Sequence, residues 1–357
     1  MNDPISADRM KRQYLQILED TQHLMRESEF TREAFWNDAD RGSTELFDES
    51  SNRYKTHFRD EIVGNLPYPT EPAKPRSRLI YDAEASAGYE VVLDLYPGVF
   101  AYGIIHVPRD IEPGERRPVI VCQHGLEGRP EDAADPDVDN EFYHSFAYRL
   151  AERGFVTFSP QNPYIGENQF RQLLRRAQPL QLTLFSFIVR QHERILEWLA
   201  DLAYVDPKRM ALYGLSYGGK TAMRVPALLD SYCLSICSAD YNEWIWKNVS
   251  IRSDYCYLYS REYDMPEFNL GNTYNYSEMS RLIFPRPFMV ERGHGDGVAP
   301  DEWVAYEFAK TQKFYTSMGL ADRTEIEFFD GQHTINGVGT FAFLHKHLQF
   351  PKRQGTS

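Results

Sequence analysis

The sequence offers little to a membrane or to nucleic acid. It holds no run of about eighteen apolar residues, the length a spanning helix needs, and its opening MNDPISADRMKRQYLQ lacks the apolar core of a secretory leader. Positive charge is in deficit: 39 Lys and Arg stand against 52 Asp and Glu, a formal net charge of −13. Phosphate contacts need a basic face, so no nucleic-acid partner is expected, and anionic lipid would not be attracted. Cysteine is sparse as well. Cys122, Cys233, Cys237 and Cys256 form no CxxC pair, which leaves neither a zinc spacing nor a redox motif. Three of them read as small core residues, and a cytoplasmic address is expected.

What the chain does have is a long alternation of strand-like and helix-like text. Its 357 residues allow one large domain or two smaller ones. Residues 1 to about 65 read as helical, with Met10, Tyr14, Ile17, Leu18, Thr21, Leu24 and Met25 on one stripe. That stripe is expected to pack on the body of the protein; a homo-oligomer contact is the alternative. LPYPTEPAKPRSR (66–78), with four prolines, then reads as a linker. YEVVLDLY (89–96) and FAYGIIHV (100–107) alternate around a Pro-Gly turn and predict an antiparallel pair. RPVIVCQH (117–124), GFVTFSP (154–160), RMALYGLS (209–216), LSICSAD (234–240), RPFMVERG (286–293) and TEIEFFD (324–330) are short β-rich runs. Several are almost wholly apolar, as strands covered on both faces must be. Helical patterns at 140–153, 180–204, 217–230, 301–318 and 337–348 separate them. The expected fold class is α/β, a mostly parallel sheet flanked by helices. Two stretches exceed simple connections, 162–181 and an aromatic-rich insertion at 241–280, and both are expected to roof a site at the carboxyl ends of the strands.

Gly214-Leu215-Ser216-Tyr217-Gly218 has the G-x-S-x-G form of a nucleophile elbow, where a sharp strand-to-helix turn lifts a serine hydroxyl clear of the backbone. Side chains two residues to either side would collide, hence the glycines. The same letters run on through Gly219-Lys220-Thr221 and also satisfy the phosphate-loop pattern G-x-x-x-x-G-K-[ST]. In that rival reading Gly214–Thr221 would hold a nucleotide, and Asp240 could supply an acidic strand end for magnesium.

Other motifs favour the elbow. His124-Gly125-Leu126 follows the third strand-like run, where such folds place one backbone donor of an oxyanion hole. The N–H groups of Leu126 and Tyr217 are the expected pair. His333, in FFDGQHTING (328–337), sits in a loop before the last helix and is the expected base. Asp296, in RPFMVERGHGDGVAP (286–300), is the expected acid, able to reach His333 Nδ1 and hold its tautomer. Glu291 and Asp240, both near strand ends, compete with it.

With VDPKRMALYGLSYGGKTAM (205–223), the His-Gly turn, GHGDGVAP and the DGQHT loop, residues 89–350 resemble α/β-hydrolases of the prolyl-oligopeptidase, dienelactone-hydrolase and acetyl-xylan-esterase branch. The resemblance implies an eight-stranded sheet and a Ser216–His333–Asp296 triad needing neither cofactor nor metal. It also implies a small-molecule carboxylic ester as substrate; the rings of 241–276, with Tyr255, Tyr257 and Tyr259 on one face if that segment is extended, suit a short acyl group on a sugar or aromatic moiety. Peptidase or amidase action on the same fold is the alternative, and a fold kept for binding alone is a third. The dienelactone hydrolases carry cysteine where this chain has Ser216, and residues 1–75 are too short for an oligopeptidase propeller. The expected organisation is a helical extension and linker at 1–75, a catalytic domain at 76–350 with 241–280 as a cap-like insertion, and a polar tail at 351–357.

Overall fold

In the computed structural model, which describes residues 4–163, 166–167, 169–260, 262 and 267–351, the described strands form one sheet. They are β1 (Arg76–Asp82), β2 (Ser86–Tyr96), β3 (Val99–Pro108), β4 (Arg117–Gln123), β5 (Val156–Pro160), β6 (Val205–Leu215), β7 (Leu234–Ser238), β8 (Phe288–Gly293) and β9 (Thr324–Phe329). Their order is β1-β2-β3-β5-β4-β6-β7-β8-β9. β1, β2, β3 and β5 pair antiparallel in succession, and from β5 onward every pairing is parallel. Every residue of β4, β5, β7 and β8 is buried, which explains their continuous apolar text.

The sheet has nine strands, not eight. The addition is β1, which begins inside the stretch read as a linker. It is an edge strand with mostly exposed side chains, so RSRLIYD has no buried face to impose an apolar alternation. Backbone pairing holds it, helped by ion pairs across to β2: Arg78 lies opposite Glu90 and meets it at 2.8 Å, and Arg76 meets Asp94 at 2.7 Å.

The amino-terminal region is helical over Pro4–Phe35 and Thr44–His57, the second helix capped by Ser43, whose hydroxyl accepts the Leu46 N–H. Only the stretch of the first helix from about Gln22 onward docks on the body. Trp36 stacks on Tyr54 with ring centroids 4.1 Å apart and donates its indole N–H to the Thr273 carbonyl at 2.9 Å. Met25, Trp36, Phe47, Tyr54 and Phe58 join the main apolar core. The expected stripe is therefore half wrong: Met25 is buried, but Met10, Tyr14, Ile17 and Leu24 are 59–65% exposed. Helical periodicity shows which residues share a face; it does not show how far the neighbouring surface extends.

Between β7 and β8 the chain builds an insertion with helices Trp244–Val249, Leu270–Thr273 and Tyr276–Ile283 and a single turn at Tyr257–Tyr259. Tyr263, one of its aromatics, lies outside the described residues. The stretch 162–181 contains the helix Phe170–Ala177. No described helix is long and apolar enough to cross a membrane.

Candidate active site

Ser216 is the whole connection between β6 and the helix Tyr217–Leu228. It sits at φ 61°, ψ −117°, a strained conformation costing about 1–3 kcal/mol that persists only where the surroundings enforce it. Enforcement comes from two backbone bonds: Ser216 N donates to the Ser238 carbonyl at 2.9 Å, and Lys220 N donates to the Ser216 carbonyl at 2.8 Å. The glycines are required by crowding. A Cβ on Gly214 would lie 2.2 Å from the Gly218 carbonyl oxygen, one on Gly218 2.2 Å from that of Gln123, and one on Gly219 2.4 Å from that of Ser238.

This geometry removes the phosphate-loop reading. A phosphate cradle needs an open loop whose N–H groups converge on the anion, whereas Gly218, Gly219, Lys220 and Thr221 already lie in the helix. The Lys220 ammonium stands 3.9 Å over the Trp244 ring, and Asp240 accepts the Tyr276 hydroxyl instead of presenting a free strand-end carboxylate.

The His-Gly turn after β4 lies directly against the elbow. A Cβ on Gly125 would come within 3.0 Å of Ser216 Cβ and 3.1 Å of the Leu215 carbonyl. His124 is buried and neutral, its pKa lowered to about 4 by desolvation. Its Nε2 accepts the Asn162 N–H at 3.3 Å and its Nδ1 donates to the Gly125 carbonyl at 2.7 Å, which locks the turn. Tyr143, which sequence reasoning missed, accepts the Gly125 N–H at 2.8 Å. Leu126, Ser216, Tyr217 and His333 line one cavity of about 370 Å³.

The loops after β8 and β9 are sewn together: His294 N donates to the Phe329 carbonyl at 2.9 Å and Gly295 N to the Gly331 carbonyl at 2.8 Å. Gly293 permits this approach, since a Cβ there would lie 2.3 Å from the Gln332 carbonyl oxygen. The stitching brings His333 Nδ1 to 3.0 Å from Asp296 Oδ1. Asp296 is buried, accepts the Val298 N–H at 2.9 Å, and pairs with Arg292 Nη1 at 3.0 Å through its other oxygen. Arg292 was also missed. Its guanidinium donates to the Asp296 carbonyl and meets Asp301, so it fixes the loop as well as the carboxylate. Among the described residues no hydrogen bond links Ser216 Oγ to the His333 ring; such contacts commonly tighten only when substrate enters.

Glu291, a rival acid, bonds elsewhere. It accepts the Tyr213 hydroxyl at 2.8 Å, the Ser238 hydroxyl at 2.7 Å and the Gly337 N–H at 3.0 Å, and burial raises its pKa. It clasps the segment that follows His333. Asp240 lines the cavity but accepts from Tyr276.

Of the insertion's described aromatics, Trp246 and Phe268 are exposed and the others form two groups. Tyr255, Tyr257 and Tyr259 line the cavity, although Tyr257–Tyr259 is a single helical turn and not an extended segment. Tyr241, Trp244, Tyr274 and Tyr276 are core residues. Lys220 and Lys247 complete the wall. Lys220 was legible only as a letter of the rival motif, and Lys247 had no signal at all.

No protein-family model matches the chain. The Bacillus subtilis (strain 168) protein YtaP, whose name places it only provisionally among hydrolases, is 23% identical over 280 residues, 76% of this chain and 90% of its own. A Bacteroides fragilis NCTC 9343 protein, provisionally described as an acetyl xylan esterase, superposes with a TM-score of 0.65 at 14% identity, covering 88% of this chain and 86% of that one. A glucuronoyl esterase from Solibacter usitatus superposes with a TM-score of 0.62 at 14% identity, covering 85% and 93%. The shared architecture is the α/β-hydrolase fold, and the chain has that fold.

Proposed function

We propose that the protein is a serine hydrolase of carboxylic esters that takes short acyl groups borne on sugar or aromatic moieties. Ser216 Oγ attacks the ester carbonyl while His333 Nε2 accepts its proton. Asp296 holds the Nδ1–H and stabilises the imidazolium without itself taking the proton. The Leu126 and Tyr217 N–H groups receive the oxyanion, each such donor being worth about 3 kcal/mol in the transition state. The alcohol leaves with the proton from His333, and water, activated by the same base, frees the acyl group from Ser216. The observation that carries this reading is the Asp296–His333 contact at 3.0 Å, beside a cavity shared with a serine on a strained elbow. The names of the structural neighbours, esterases acting on acetyl xylan and glucuronoyl esters, support sugar esters over peptides. In the same reading residues 76–350 form the catalytic body, 1–75 brace it, and 241–280 roof the site.

The cavity volume of about 370 Å³ is at the small end of the ~300–1,000 Å³ usual for ligand sites. The test is kcat/KM across p-nitrophenyl esters from acetyl to palmitoyl. Acetyl to butyryl should exceed chains of about ten carbons by at least tenfold, since a misplaced methylene is worth only ~1–3 kcal/mol. Palmitoyl as the best substrate would replace the pocket reading with a lipid-binding cap.

The uncovered stripe carries a second part of the proposal, a homo-oligomer formed through the amino-terminal helices. Met10, Tyr14, Ile17 and Leu24 leave apolar area in water that a second copy would remove. Light scattering should give a multiple of the 41.6 kDa chain mass, reduced to the monomer by Met10→Glu with Ile17→Glu. A monomeric unaltered protein would contradict it.

A further inference from the structure

The cavity beside Ser216 holds two positive charges that the hydrolytic steps do not use. Lys220 and Lys247 are 1% and 0% exposed, and both line it. Neither ammonium has a hydrogen-bond partner among the described residues. Their neighbours are rings: Lys220 Nζ is 3.9 Å from the Trp244 centroid, and Lys247 Nζ is 3.9 Å from that of Tyr257. Ring faces attract a cation but accept none of its three N–H bonds in the way an oxygen does. A buried charge left so is costly unless something completes it.

The other buried charges nearby are engaged elsewhere, Glu243 with the Trp246 N–H and the Asn275 amide. Arg224 pairs with Glu267 at 2.6 Å, and Asp296 pairs with Arg292 at 3.0 Å. Asp254 is exposed and Glu262 half-buried. Of the charged groups lining the cavity, that leaves Asp240 as the one deeply buried carboxylate facing the two ammoniums. It favours their charged forms, but no ion pair joins it to either among the described residues, and it accepts from Tyr276. Glu262 acts on both ammoniums from a distance, and none of the cavity carboxylates forms an ion pair with either among the described residues. Burial lowers Lys220 and brings Lys247 down to about 8, as expected for ammoniums lacking a close counter-charge.

We propose that Lys220 and Lys247 form an anion-binding subsite of the Ser216 cavity, so that the ester taken there carries a carboxylate in its acyl or its alcohol part. This rests on the ester-hydrolase reading and narrows its substrate class. The carboxylate would accept from both ammoniums, with the Trp244 and Tyr257 rings holding them in place.

The test is kcat/KM on matched esters. One arm compares p-nitrophenyl hemisuccinate with p-nitrophenyl butyrate, placing the charge in the acyl part. The other compares acetylated galacturonate with acetylated galactose, placing it in the alcohol part. The unaltered enzyme should favour the anionic member of one pair by about tenfold or more, the scale of a charge-assisted hydrogen bond. Lys247→Met and Lys220→Met should each collapse that ratio. A preference for the neutral member in both pairs would overturn the subsite, as would variants that slow both members by the same factor. Should the variants fail to fold, calorimetry of succinate and of galacturonate on the unaltered protein decides it: binding of either supports the subsite, and binding of neither at millimolar concentration overturns it. Turnover of p-nitrophenyl acetate reports separately on the ester-hydrolase reading, and the calorimetry stands even if that reading fails.

Discussion

Ser216→Ala is expected to lower kcat for p-nitrophenyl acetate by about 10⁶-fold while leaving the fold intact, because loss of a triad nucleophile removes the covalent route entirely. Alanine fits the site. The elbow is held by backbone bonds from Ser216 N and to the Ser216 carbonyl, and by the crowding at Gly214, Gly218 and Gly219, none of which involves the serine hydroxyl. Thermal unfolding of the variant should therefore match the unaltered protein. Residual activity at a tenth of the original would end the assignment of Ser216, whatever else the site contains.

Asp296→Asn is expected to lower kcat by about 10⁴-fold, since an amide at this position favours the wrong His333 tautomer. Asp296 Oδ1 is 3.0 Å from His333 Nδ1, so that nitrogen must carry the proton if Nε2 is to act as base. Arg292 and the Val298 N–H fix the carboxylate, and an asparagine in the same place keeps the shape but not the charge. Glu291→Gln supplies the contrast. Its carboxylate accepts from Tyr213, Ser238 and Gly337, so the amide should lower stability by about 1–3 kcal/mol and cost activity less than tenfold. Asp240→Asn should also be the milder change. If either of these two were the dead variant and Asp296→Asn were active, the acid would have been misassigned.

The fold was most legible where burial is complete. β4, β5, β7 and β8 are covered on both faces, so their sequences are nearly unbroken apolar text between glycines and polar turns. β1 was invisible because its pairing is made by the backbone and by charges at a solvent-facing edge. The amino-terminal stripe shows the opposite failure: the period was real, but the surface beneath it stops near Gln22. The overlap of elbow and phosphate-loop patterns could not be resolved from letters, since both want glycines between a strand and a helix. It is resolved by the length of the turn, a single residue here.

Within the candidate site, the proposed triad residues Ser216, His333 and Asp296 each stand in a short glycine-containing turn or loop after a strand, which is the signal the sequence carries. Arg292 and Tyr143 were not, because they act on backbone and carboxylate atoms that only the folded loops bring near them. Lys247 is a lysine in a short helix, and nothing in NEWIWKNV distinguishes it from a surface residue until Trp244 and Tyr257 close around it. Spacing along the chain reports on groups that share an element. It is silent on groups brought together by an insertion.

The most direct test of the central claim is labelling with a fluorophosphonate probe followed by peptide mapping. The account predicts one covalent adduct per chain, on Ser216, which disappears in Ser216→Ala and is slowed in Asp296→Asn. A folded protein that takes no label, or takes it on a residue other than Ser216, would contradict it.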